Sequence, residues 1–302
     1  MGILIKPETT GLRRHAYNTS ASFVPKLTHR LLELLDPQPT DDVLDIGCGD
    51  GKFTSSFIPQ VKSVLGLDSS PSMIDSARKD HGGLTVDFQV RDCRYLEDNE
   101  AVVNAQWDKV AKWLLRRKWA LEFRADEVVK MYKSISNAAL HWILKEPSTR
   151  LNVFKAAYAA LKPGGTFVFE MGGHGNVAEV HTALLAAVTR QGATMEQAHA
   201  ASPWFFPSES WMRTMLEKVG FEVRTLEIEY RPTKLTTVKD GGIEGWVRLM
   251  ASPMLDILDA NSRDAAVAEA CELLETIITR EEDGSKWLGY VRLRGVAAKM
   301  SE

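Results

Sequence analysis

Asp42-Val43-Leu44-Asp45-Ile46-Gly47-Cys48-Gly49-Asp50-Gly51 is the stretch whose reading decides the fold. Its apolar residues make a short buried strand, and the glycines make a turn at the strand's carboxyl end. Glycine permits backbone angles that are strained for other residues and lets a ligand approach closely. In open α/β sheets that edge is where ligands bind. A helix is expected to begin at Gly51 and run to Phe57, with free N–H groups facing the same place. The glycines run G-x-G-x-G, not the G-x-G-x-x-G of dinucleotide folds. Asp45 stands two residues before the first of them. A carboxylate there suits a ligand bearing an ammonium group and repels a pyrophosphate.

Further along, Asp68 closes a second strand, and Asp92 follows a third at 84–90. A carboxylate in the position of Asp68 can accept hydrogen bonds from both hydroxyls of a ribose. Asp92 could take an adenine amino group. A plain tight turn with surface acids is the competing reading, and three acids at successive strand ends weigh against it. S-adenosylmethionine fits the set: it carries an ammonium, a ribose and an adenine, and no phosphate.

Outward from the turn, strands alternate with helices. Helical spacing covers 21–35, 71–79, 146–161 and 208–219. Strands are expected at 61–68, 166–171, 221–230 and 289–297, with Lys162-Pro163-Gly164-Gly165 as a turn. The expected fold is α/β and Rossmann-like: a mostly parallel seven-stranded sheet with helices on both faces and an added helical cap. The reading is of one domain over residues 1–302. Its core is 36–174 with 208–230 and 287–299, and its cap is 175–207 with 241–283.

The formal charge of −3, from 37 Lys/Arg and 40 Asp/Glu, provides no field to attract nucleic acid, so no nucleic-acid partner is expected. Cys48, Cys93 and Cys271 are far apart and form no ligand cluster, so no metal is expected and a reducing compartment is read. No apolar run reaches the roughly 18 residues of a membrane span, and the apolar run at the start is too short for a signal peptide. A cytoplasmic monomer or homodimer acting on a small molecule is the expectation.

Val43 to Gly51, Val64-Leu65-Gly66-Leu67-Asp68, Ser136-Asn137-Ala138-Ala139-Leu140-His141-Trp142 and Leu161-Lys162-Pro163-Gly164-Gly165 resemble the successive motifs of class I S-adenosylmethionine-dependent methyltransferases. The Asn137 to Trp142 run is most similar to the trans-aconitate methyltransferase-like branch. The resemblance covers residues 15–230. It implies that Asp45, Gly47, Cys48 and Gly49 hold the methionine end of the cofactor, and that Asp68 with Ser69 holds the ribose. Met73 would pack on adenine, Asp92 and Cys93 would meet its edge, and Asn137 would sit near the sulfonium. Tyr17 and Phe23 fall where the family's N-terminal segment closes over the cofactor. Helix or core packing is the alternative for Met73, Tyr17 and Phe23.

The family's fourth strand joins Asp-x-Val directly to Phe-Ser-Asn-Ala. Here Trp107-Asp108-Lys109-Val110 and Ile135-Ser136-Asn137-Ala138 match the two halves, and the 24 residues 111–134 lie between them. The interval holds seven Lys/Arg and three Asp/Glu, with Leu115, Trp119 and Phe123 at helical spacing. It could be a substrate lid, a partner or membrane-surface helix, or translated sequence foreign to the fold. Its placement inside a strand favours the last. The expectation is a strand rebuilt from one flank with the rest bulging outward.

The implied reaction is direct in-line displacement of a methyl group, with S-adenosylhomocysteine as product. The acceptor could be a carboxylate, hydroxyl, amine or thiol. His174 and His141 are candidate bases, against a tight loop and a backbone-bonded helix start. Trp142, Trp246 and Arg248 are candidate substrate contacts, the arginine suited to a carboxylate. Trp204, Phe205, Phe206 and Trp211 could wall a pocket or be core. Two rivals remain at this point: a cofactor-binding protein without transfer activity, and an NAD-dependent oxidoreductase, which the glycine spacing disfavours.

Overall fold

The computed structural model describes residues 28–95, 131–236 and 241–301. Tyr17, Phe23, Trp107 to Val110 and the expected outward bulge lie outside them.

Seven strands form one sheet in the order β3-β2-β1-β4-β5-β7-β6. They are β1 (Asp42–Ile46), β2 (Ser63–Asp68), β3 (Val86–Val90), β4 (Met131–Asn137), β5 (Leu161–Gly172), β6 (Phe221–Lys234) and β7 (Trp287–Lys299). The β1–β2, β1–β4, β2–β3 and β4–β5 pairs are parallel. Parallel neighbours require crossovers, and the order reverses between β1 and β4, which leaves β1 at the topological switch. β1 is buried along its whole length, with Asp42 and Asp45 as well as Val43, Leu44 and Ile46 out of solvent, as a strand with a neighbour on each side allows.

The described residues fall into two compact units. The sheet unit comprises 28–171, 207–227 and 293–301. It holds α1 (His29–Leu35), α2 (Pro71–His81), α3 (Leu140–Ile143), α4 (Arg150–Ala160) and α7 (Glu209–Val219). Its core centres on Phe57, Phe88, Phe154, Phe167 and Phe169, all fully buried. Ser208 accepts the Trp211 N–H at the start of α7, and Gly220 at φ 108° ends that helix, the usual cap chemistry at each end.

The helical unit comprises 172–206 and 228–292. It holds α5 (Ala178–Arg190), α6 (Met195–Ala201), α8 (Gly242–Met250), α9 (Ser252–Leu255) and α10 (Ala260–Ile278). α5 and α10 pack along each other over Val180, Leu184, Ala187, Val267, Ala270 and Leu274. Thr194 and Gln197 close a reciprocal capping box on α6, and Asp259 accepts two backbone N–H groups at the start of α10.

Three local expectations are corrected. The helix expected over 51–57 is two short 3-10 turns, Thr54–Ser56 and Ile58–Gln60, because Pro59 and the preceding glycines stop propagation. The helix expected from 146 begins at Arg150, after a 3-10 turn at Pro147–Thr149. Lys162 to Gly165 falls within the span of β5 yet bulges from its ladder, since Met131 pairs with Leu161 and Lys133 with Thr166, and Gly164 takes φ 79°. In β4, the first four residues, Met131 to Ser134, come from the 111–134 interval.

Candidate functional site

Turn geometry comes first. Gly47, Gly49 and Gly51 have φ of 76°, 57° and 78°, all in the left-handed region. A Cβ on Gly47 would lie 2.3 Å from the Cβ of Ala139, so the segment after β4 is seated directly on the turn. A Cβ on Gly49 would meet nothing within 4 Å, which leaves that face of the turn open among the described residues.

The turn's amides are largely spoken for. Gly47 and Cys48 both donate to the Leu67 carbonyl, at 2.8 and 3.0 Å, and Gly51 donates to Cys48. Gly49 donates to Asp68 Oδ2 at 3.0 Å. With no α-helix following, the expectation of free helical N–H groups aimed at a ligand is replaced. The turn's hydrogen bonds fix its shape, and the groups left to meet a ligand are the acids.

Asp45 is the penultimate residue of β1, toward that edge, and is 1% exposed. Thr54 Oγ1 donates to its Oδ2 at 2.7 Å. Its Oδ1 is buried and has no hydrogen-bond partner among the described residues. Such an atom is costly unless something fills its valence. Burial pushes the Asp45 carboxyl up to about 7; the Thr54 bond opposes this and the neighbouring Asp68 adds to it. Asp68 is also raised, by burial above all, although Gly49 N and Ser70 N (2.8 Å) both donate to it. An ammonium ion would relieve Asp45, satisfying the orphaned oxygen and neutralising the charge.

The remaining cofactor candidates are placed as follows. Ser69 is exposed beside Asp68, and Met73 is half-buried on α2. Asp92 follows β3 and is bound by Arg94 through both carboxylate oxygens, with Nη2 at 2.5 Å. Burial would raise it, but the Arg94 bonds outweigh burial and hold it below the usual range. Cys48 and Cys93 are buried, and burial drives both thiols far up, so neither is a thiolate nucleophile. Asn137 ends β4 in register with Glu170 of β5. Ala138 follows at φ 54°, a strained value for alanine, with its N–H held by the Glu170 carbonyl at 2.8 Å. The sheet unit thus brings Asp45, the glycines, Asp68, Asp92 and Asn137 to one edge of four neighbouring strands. Among the described residues no group of three or more His, Cys, Asp or Glu is arranged to hold a metal.

Sequence reasoning missed Thr54, Arg94 and Ala139. Only Arg94 carried a signal, its nearness to Asp92. Thr54 and Ala139 act through contacts between turns that no local pattern encodes.

A family described as "Methyltransferase domain" matches residues 14–226. A Schizosaccharomyces pombe protein described as uncharacterized methyltransferase C70.08c is 34% identical over 290 residues, covering 94% of this chain and 96% of that one. The chain belongs to the methyltransferase-domain family. It is an S-adenosylmethionine-dependent methyltransferase in kind. Among solved structures, a candidate methyltransferase of Bacillus halodurans C-125 matches 91% of this chain and all of its own, at 16% identity and TM-score 0.56. A Haemonchus contortus phosphoethanolamine N-methyltransferase, solved with phosphomonomethylethanolamine and S-adenosylhomocysteine, matches at 16% identity and TM-score 0.52. It is matched over all of this methyltransferase and 62% of its own length. Both likenesses concern the fold.

The residues outside the sheet unit are placed differently. His174 is exposed in the turn between β5 and α5, where Gly173 N donates to Val291 and Gly175 takes φ 85°. Trp246 is 3% exposed in the helical core and donates from Nε1 to Tyr290 Oη at 2.8 Å, so it packs as core. Arg248 is exposed and bound by Glu244 (2.9 Å) and Asp264 (2.8 Å), so a substrate carboxylate would have to displace one of them. In the sheet unit, His141 is buried on α3 with its ring 5.3 Å from that of Trp142, which is 37% exposed. Phe205 is half-buried, and Trp204 and Phe206 stack at 5.9 Å against the helical core. Trp211 packs on Phe154 in the sheet unit. No helix among the described residues is long and apolar enough to cross a membrane.

Proposed function

We propose that the chain binds S-adenosylmethionine at the β1 turn and methylates a small-molecule acceptor by in-line displacement, as a cytoplasmic monomer or homodimer with both units forming one enzyme. The observation that carries the reading is the buried Oδ1 of Asp45, unpartnered among the described residues, four residues before Gly49 in the same strand-and-turn segment. When bound, S-adenosylmethionine supplies a sulfonium-activated methyl group, and the acceptor's electron pair displaces sulfur to leave S-adenosylhomocysteine.

The chain's own residues do the rest. Asp45 pairs with the ammonium, and Thr54 holds the carboxylate in that orientation. Asp68 keeps the turn closed through Gly49 while its remaining lone pairs accept from the ribose hydroxyls. Ser69 and Met73 line the ribose and adenine side, and Asp92 with Cys93 closes the adenine edge. Asn137 marks the sulfonium end. Positioning of this kind supplies several kcal/mol of barrier reduction in order of magnitude. The resemblance of the Asn137 to Trp142 run to the trans-aconitate methyltransferase-like branch supports a carboxylate acceptor, which needs no base. A hydroxyl or amine acceptor would need a base, for which His174 and His141 are the candidates.

The test is a radiolabelled methyl assay over small-molecule metabolite pools. Label transfer to a small molecule that disappears in the Asp45→Asn variant supports the reading. Saturable cofactor binding with no labelled product in any pool would favour the non-catalytic alternative.

A further inference from the structure

The first half of the central strand has two sequences available to it. Met131-Tyr132-Lys133-Ser134 fills these four positions in the structure. Trp107-Asp108-Lys109-Val110, 24 residues earlier, has the same relation to Ile135 once residues 111–134 are removed.

Each position can be compared with what the structure demands of it. The first position is a core site: Met131 is 2% exposed and pairs with Leu161, and Trp107 is likewise large and apolar. The second faces solvent: Tyr132 is 43% exposed, and Asp108 is polar. At the third position the match is one of chemistry. Lys133 Nζ bonds the Leu35 carbonyl at the end of α1 (2.6 Å) and the Asp36 carbonyl, and it pairs with Asp41 at 3.1 Å. An ammonium at a helix carboxyl end satisfies carbonyls that otherwise lack partners, and the earlier tetrapeptide offers Lys109 there.

The fourth position discriminates between the two. Ser134 pairs with Leu44 and Phe167, is fully buried, and its hydroxyl has no hydrogen-bond partner among the described residues. A buried hydroxyl without a partner is destabilising, and valine, one methyl larger than serine, replaces it with apolar atoms. Val110 is the residue such a site calls for.

We propose that residues 107–110 and 131–134 are interchangeable first halves of β4, and that residues 111–134 are dispensable to the sheet unit. This goes beyond the catalytic reading, and its readout is stability, so it stands or falls separately from cofactor binding. The test joins Val110 to Ile135 by deleting 111–134 and places Lys→Met substitutions in both backgrounds. In the full chain, Lys133→Met is expected to lower Tm by several degrees and Lys109→Met to leave it unchanged. In the deletion protein, Lys109→Met is expected to lower Tm by a similar amount. Ser134→Val in the full chain is expected to raise Tm. A deletion protein that does not fold overturns the proposal. So does one that folds but is indifferent to Lys109→Met.

Discussion

In the proposed site Asp45 is the residue whose ionisation would link folding to ligand binding. Its folded-state value near 7 lies above the ordinary carboxylate value of 3.8. The sign follows: its contribution to stability is intact below about pH 4 and is lost as pH rises through about 7, because the folded state resists ionising it. An ammonium ligand reverses that preference. S-adenosylmethionine affinity is therefore expected to fall roughly five- to tenfold from pH 7.5 to pH 6.0, as the ionised fraction falls. Asp45→Asn should flatten this dependence. Calorimetric Kd at the two pH values checks both. The glycines separate by the same residue-scale logic. Gly47→Ala meets Ala139 at 2.3 Å in addition to left-handed strain, whereas Gly49→Ala meets strain alone. Thermal melts of the two variants should show Gly47→Ala as clearly the more damaging, by more than about 1 kcal/mol.

At the scale of elements, the sequence disclosed what periodicity and turn chemistry encode. β1, β2 and the helix opened by Ser70-Pro71 lie where the apolar runs and the proline put them. The order of acids at the strand ends was legible for the same reason, since each follows an apolar run. The helix expected after the glycine turn was not, because left-handed angles at three glycines and Pro59 cap propagation at single turns. Also hidden were contacts between distant elements. Glu170 on β5 and Arg294 on β7 are 124 residues apart and nearly fully buried, joined at 2.5 Å, and Arg294 reaches on to Glu227 of β6. Removing one partner strands a buried charge. Arg294→Met is expected to cost about 3 kcal/mol by urea denaturation, whereas a double variant that also carries Glu170→Met should recover most of it.

Over the whole molecule, the division into two units assigns labour. Asp45, Gly47, Cys48, Gly49, Asp68, Ser69, Met73, Asp92, Cys93 and Asn137 all belong to the sheet unit, whereas His174, Trp246 and Arg248 belong to the helical unit. A cavity in the helical core should therefore weaken the fold without touching cofactor recognition. Leu184→Ala, at a fully buried site on α5, is expected to cost about 2–5 kcal/mol and to leave the S-adenosylmethionine Kd within about twofold. The sequence could outline this unit from its helical spacing. It could not say that Trp246 is spent on the core or that Arg248 is held by two surface acids, because both facts depend on residues far along the chain. The central claim is that the β1 turn and Asp45 bind S-adenosylmethionine, and calorimetric titration of the full chain at pH 7.5, beside Asp45→Asn, tests it most directly. The account predicts one saturable site in the parent protein and at least a tenfold weaker Kd in the variant, which keeps a cooperative melt. Equal affinity in both proteins, or no binding by the parent, would contradict it.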